Sequence, residues 1–61
     1  MMMTPDEYRG ALETLGFTHI QAAAELGISR RSSVRWANEG GAPPHIRLAL
    51  EALRARLQAA E

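Results

Sequence analysis

The sequence predicts an all-α domain of four or five helices, and three observations carry that prediction. Residues that cap helix starts recur at Thr4, Thr18 and Ser29. Glycine closes each segment so opened, at Gly16, at Gly27 and at Gly40-Gly41. Between these marks apolar residues return at i, i+3, i+4 and i+7, the spacing of one helical face.

The first helix opens on Thr4-Pro5-Asp6-Glu7, a capping box with proline at the first helical position. Tyr8, Ala11, Leu12 and Leu15 form its apolar stripe, and Phe17 is placed to fold back past Gly16. Gly10, inside this helix, costs about 1 kcal/mol against alanine, and its bare backbone is either tolerated or lets another helix approach. The second helix starts at Thr18 with Gln21 in the box position; Ile20, Ala23 and Ala24 are expected to face inward. Gly27-Ile28-Ser29 is a turn of three residues, short enough for two helices crossing steeply. The third helix runs from about Arg30 to Asn38. Ala42-Pro43-Pro44 is a stiff connector, and a fourth helix spans roughly residues 45–59.

At 61 residues the chain is one domain, 1–61, and a domain so small buries only roughly 60% of its unfolded surface. Small domains gain stability from a disulfide, a metal or a partner chain. There is no cysteine, and His19 and His45 lie far apart without a partner at ligand spacing, so no metal or other cofactor is expected. A partner chain remains, most simply a second copy. The 46% hydrophobic and 23% charged residues are a folding composition. No apolar run approaches a membrane span, and Met1-Met2-Met3-Thr4 has no basic segment before an apolar stretch. The expectation is therefore a cytoplasmic protein with no membrane partner, its repeated methionines a loose tail.

Formal net charge is zero, but its distribution is uneven. All seven cations are arginine, and Gly27 to Asn38 holds three of them with no acid, while Asp6, Glu7 and Glu13 lie near the start. At about 100° per residue, Ser33, Trp36 and Ala37 share one side of the third helix. Arg31, Arg35 and Asn38 share the other, with Val34 at the border. An exposed Arg, Arg, Asn face has the chemistry to read base edges: arginine pairs bidentately with guanine, asparagine with adenine, and valine touches a thymine methyl. Arg30 stands at the helix start, where free N–H groups also favour phosphate. The alternative for the arginines is a solvated charged face, and Trp36 is expected to be an inward anchor.

The segment FTHIQAAAELGISRRSSVRWANEG, Phe17 to Gly40, resembles the helix-turn-helix of the Cro/phage-repressor (XRE-like) DNA-binding family. His19 stands where a polar residue opens the second helix, and Ala23 at its small middle position. Leu26-Gly27-Ile28-Ser29 matches the turn, and Arg35-Trp36 the pair late in the recognition helix. The likeness covers about residues 4–57 with its specific part in 18–36, and the layout is similar to small phage-type autorepressors such as anti-CRISPR-associated regulators. It implies a lambda-repressor-like domain with a helix-turn-helix core at 18–38. The third helix of such a domain enters the major groove of double-stranded DNA, and a homodimer sits on an inverted repeat. Matched position by position, Arg31, Ser32, Val34, Arg35 and Asn38 take base contacts, and His19, Ser29 and Arg30, with Arg47 added, take phosphates. The chain departs from the family at Ser33, where an aliphatic residue is usual. Either the Ser33 hydroxyl bonds back to the i−4 carbonyl, or the helix rotates and Val34 packs inside.

On the fourth helix Ile46, Leu50, Leu53 and Leu57 form the expected core stripe, with Ala49 beside it. Leu48, Ala52, Ala55 and Ala59 form a second stripe, and a helix apolar on two sides is covered on two sides. Leu48, Ala52 and Ala55 are therefore expected at a homodimer interface; otherwise the alanines serve helix propensity alone. No nucleophile–base pair, no paired acid and base and no phosphate-cradling loop is present, so no enzyme is expected. No small-molecule effector site is evident. The function expected is a transcriptional regulator, most simply a repressor associated with the nucleoid through DNA. The competing class is a protein-interaction module, an antitoxin or adaptor on the same scaffold.

Overall fold

The computed structural model describes residues 2–59, and among these it is all-α with four helices. They are α1 (Pro5–Leu15), α2 (His19–Leu26), α3 (Arg30–Asn38) and α4 (Pro44–Ala59). None is long and apolar enough to cross a membrane.

The helix starts follow from local chemistry. Thr4 accepts from the Glu7 N–H while the Glu7 carboxylate takes the Thr4 N–H at 2.9 Å, a closed capping box. Thr18 and Gln21 repeat the device at α2. Ser29 caps α3 by accepting from the Ser32 N–H at 3.1 Å. Gly27 ends α2 at φ 70°, a left-handed conformation that a Cβ disfavours, and Ile28 N–H returns to the Ala23 carbonyl. That single residue makes the three-residue turn into α3 possible.

Every helix contributes to one core of Tyr8, Leu12, Ala22, Ala37, Ile46, Leu50 and Leu53, with Ala11, Leu15, Phe17, Leu26 and Trp36 packed against it. The Trp36 ring meets the Tyr8 ring edge-on, centroids 5.7 Å apart at 89°, so Trp36 is a half-buried inward anchor. Arg9 of α1 donates to the Ala37 carbonyl at 2.6 Å, supplying a partner to the end of α3, and its second nitrogen pairs with Asp6.

Three sequence expectations are corrected. On α2 the inward residues are Ala22 and Ala23, with His19 and Leu26 half-buried on the same i, i+3, i+4, i+7 stripe. Ile20 is 68% exposed and Ala24 also faces out. The stripe was hidden because it begins with a histidine. The methionine run is not wholly a loose tail: Met3 is buried and forms an antiparallel bridge with Ala42, with N–H to O distances of 2.9 and 3.0 Å. Met1 lies outside the described residues. The bridge needs Gly41, at φ 74°, because a Cβ there would stand 1.8 Å from the Met3 carbonyl oxygen. Gly10 brings no helix close, since a Cβ built on it meets nothing within 4 Å. The third correction concerns Leu57, which is 43% exposed, so the core stripe of α4 ends at Leu53.

Candidate nucleic-acid interface

The outer face of α3 is built by what the inner face buries. Ser33 and Ala37 point into the core with Trp36 beside them, and 100° per residue then carries Arg31, Arg35 and Asn38 outward. All three are exposed, as are Arg30 and Ser29, while Val34 and Ser32 are half-buried at the edges. Arg31 and Arg35 lie one helical turn apart, about 6 Å along the axis.

Ion pairing divides the arginines. Arg9 pairs with Asp6, Arg47 with Glu7 at 3.1 Å and Arg56 with Glu25 at 3.2 Å. Among the described residues no carboxylate pairs with Arg30, Arg31 or Arg35. The third helix therefore carries three cations without a carboxylate partner, Arg31 and Arg35 on its outer face and Arg30 at its first turn, on a molecule of zero net charge.

Several polar groups of this region are already engaged. The Ser29 and Ser32 hydroxyls bond each other at 3.1 Å at the head of α3. Asn38 donates from Nδ2 to the Val34 carbonyl at 2.9 Å, leaving its Oδ1 and one hydrogen free. Asn38 also sits at the far end of α3, about 10 Å along the axis from Arg31. Arg47 belongs to a different grouping. Its bond to Glu7 joins α4 to α1, and it lines a cleft between those helices with Gly10, Ala11, Leu50 and Arg54. The structure thus brings together Ser29, Arg30, Arg31, Ser32 and Arg35, and sets Arg47 apart from them. Glu7 carries a lowered pKa, held down first by the Thr4 backbone N–H and then by Arg47.

Ser33 follows neither sequence alternative. Its hydroxyl, fully buried, bonds Tyr8 Oη at 2.7 Å and His19 Nδ1 at 2.7 Å. One polar chain so ties α1, α3 and α2 together in place of the aliphatic contact, and Ser33 faces the core. Burial pushes the Tyr8 phenol above its ordinary 10.0, against the opposing effect of the Ser33 bond, so this hydroxyl stays protonated. Pairing of a buried tyrosine, a mid-helix serine and a helix-opening histidine, 25 and 14 residues apart, leaves no local signal. Tyr8 and Ser33 lie on inward stripes legible in the sequence, whereas the stripe that carries His19 is not legible there. Ser33 itself has no exposed surface.

Away from α3, Leu48 is 67% exposed, and Ala52, Ala55 and Ala59 lie exposed on the side of α4 opposite the core. Comparison of the chain with protein-family models, with curated proteins and with solved structures gives no match. What the fold and the site define is therefore a small four-helix protein with an unpaired cationic face on α3.

Proposed function

We propose that this chain is a sequence-specific double-stranded DNA-binding protein of the helix-turn-helix kind, acting as a dimeric transcriptional repressor. The observation that carries the reading is the row Arg30, Arg31 and Arg35: exposed, unpaired among the described residues, and on a helix that follows a three-residue turn. Arg31 and Arg35 read base edges in the major groove, with Val34 and Ser32 at the margin and Asn38 contributing through its free amide atoms. Arg30, Ser29 and His19 meet phosphates. A second copy covers the Leu48, Ala52 and Ala55 face of α4 and presents its own α3 to the next major groove, about 34 Å away. Repression is steric, by occupancy of the operator.

The test compares Arg31→Ala and Arg35→Ala with Arg54→Ala, a change to an exposed arginine of α4 that has no described partner. Binding to duplex DNA falls for the first two and holds for the third. Equal binding by all three contradicts the reading. One observation favours the competing interaction module: Ile20 and Ala24 leave an apolar strip on the outer face of α2. A protein partner gripping that strip makes Ile20→Ala damaging and the arginine changes mild.

A further inference from the structure

The buried chain Tyr8–Ser33–His19 has a direction, and the direction determines which nitrogen of His19 carries the proton. Tyr8 is fully buried, and its hydroxyl has one described partner, the Ser33 oxygen at 2.7 Å. The phenolic hydrogen is therefore satisfied only if Tyr8 donates to Ser33. Ser33 has a single hydrogen of its own, and the other group at its oxygen is His19 Nδ1, also at 2.7 Å. Ser33 then donates to Nδ1, which accepts. The reverse order, His19 Nδ1–H to Ser33 to Tyr8, strands the phenolic hydrogen in the core, where an unmet donor is disfavoured. A neutral imidazole that accepts at Nδ1 carries its proton at Nε2. No buried polar side-chain atom lacks a partner among the described residues, and Nε2 has no described partner, so Nε2 of the half-buried His19 is not sealed in the core.

We propose that Tyr8 and Ser33 are positioning residues that hold His19 as the Nε2–H tautomer, presenting an outward N–H donor to a DNA phosphate oxygen. The inference rests on the DNA-binding reading for the identity of the acceptor, but not for the tautomer. The second helix is thereby registered to the third through the same serine whose helix carries the arginine face. A phosphate bound at His19 is held in fixed relation to Arg31 and Arg35, and the core of the protein sets that relation.

Two measurements test it separately. Long-range proton–nitrogen NMR of the His19 ring, on free protein in mildly alkaline buffer, reads the tautomer without DNA. The parent shows Nε2–H alone. Ser33→Ala removes the hydrogen donated to Nδ1, so both tautomers appear; a hydroxyl with a merely packing role leaves the ring signals unchanged. Binding to a mixed-sequence duplex reads the contact. His19→Ala loses roughly ten- to a hundredfold in affinity, one hydrogen bond to a charged oxygen. Ser33→Ala loses part of that factor, and none of it when His19 is already alanine. An Nδ1–H parent, or a Ser33→Ala spectrum like the parent's, overturns the relay. A correct tautomer with His19→Ala binding as tightly as the parent overturns the phosphate role. A parent that binds no duplex overturns the DNA reading and the phosphate role with it, while the NMR result still judges the relay.

Discussion

A methyl group added at Gly41 and one added at Gly10 have opposite effects in this fold. At Gly41 the backbone is at φ 74°, and the new Cβ would lie 1.8 Å from the Met3 carbonyl oxygen and 2.9 Å from the Met3 carbonyl carbon. Those atoms are backbone and cannot swing away as a side-chain tip does. Left-handed backbone costs alanine roughly 1–2 kcal/mol. Relieving the contact also separates Met3 from Ala42, whose two backbone hydrogen bonds contribute roughly 0.5–1.5 kcal/mol each. Some of the burial of Met3, 4% exposed, is lost as well. These losses overlap, because the chain relaxes once for all of them, and Gly41→Ala destabilises by roughly 3–5 kcal/mol. Gly10 is helical, has ordinary φ, and has nothing within 4 Å of a built Cβ. Gly10→Ala therefore stabilises by about 1 kcal/mol. Urea unfolding followed by far-ultraviolet circular dichroism measures both. On heating, 1 kcal/mol corresponds to a shift of about 4–8 °C in a domain of this size. A Gly41→Ala variant as stable as the parent refutes the role of the Met3–Ala42 bridge.

Four further outcomes follow from the same structure. Tyr8→Phe leaves the buried Ser33 with one partner fewer and destabilises by roughly 1–2 kcal/mol in urea unfolding. Trp36→Ala removes a half-buried ring and its edge contact with Tyr8, at roughly 2–4 kcal/mol, measured the same way. Glu7 has a folded pKa below its ordinary 4.5, so its contribution is present above that value and is lost as pH falls through the folded pKa. Stability therefore declines in acid below about pH 4.5, and Glu7→Gln shows a weaker decline in a pH series of thermal melts. Leu48→Glu changes a side chain that is 67% exposed, so the helical spectrum is retained, and under the proposed α4 interface sedimentation gives a dimer for the parent and a monomer for the variant.

What the sequence makes legible here is what neighbours decide. Thr4 with Glu7, Thr18 with Gln21 and Ser29 with Ser32 each close a cap within three residues, so the helix starts can be read directly. The outward turn of Arg31 and Arg35 is legible for the same reason, since Trp36 and Ala37 on a short helix fix its inner side. Long-range pairings are not legible. Met3 looks like a tail residue until Ala42 arrives beside it, and Arg9 looks like a surface charge until the end of α3 offers the Ala37 carbonyl. On α2 hydrophobicity alone favours Ile20 as the inward residue, whereas the buried positions are Ala22 and Ala23 and Ile20 is exposed. Ser33 posed the hardest case, because its role depends on hydroxyl and imidazole partners from two other helices.

The central claim is that the unpaired arginine face of α3 reads duplex DNA. Selection of bound duplexes from a random library at near-physiological salt tests it most directly, since low salt alone lets any cationic face bind. The expected result is enrichment of an inverted repeat with half-sites one helical turn, about 34 Å, apart, and loss of that enrichment in Arg31→Ala. A library that emerges unenriched, from a protein shown to be folded and dimeric, contradicts it.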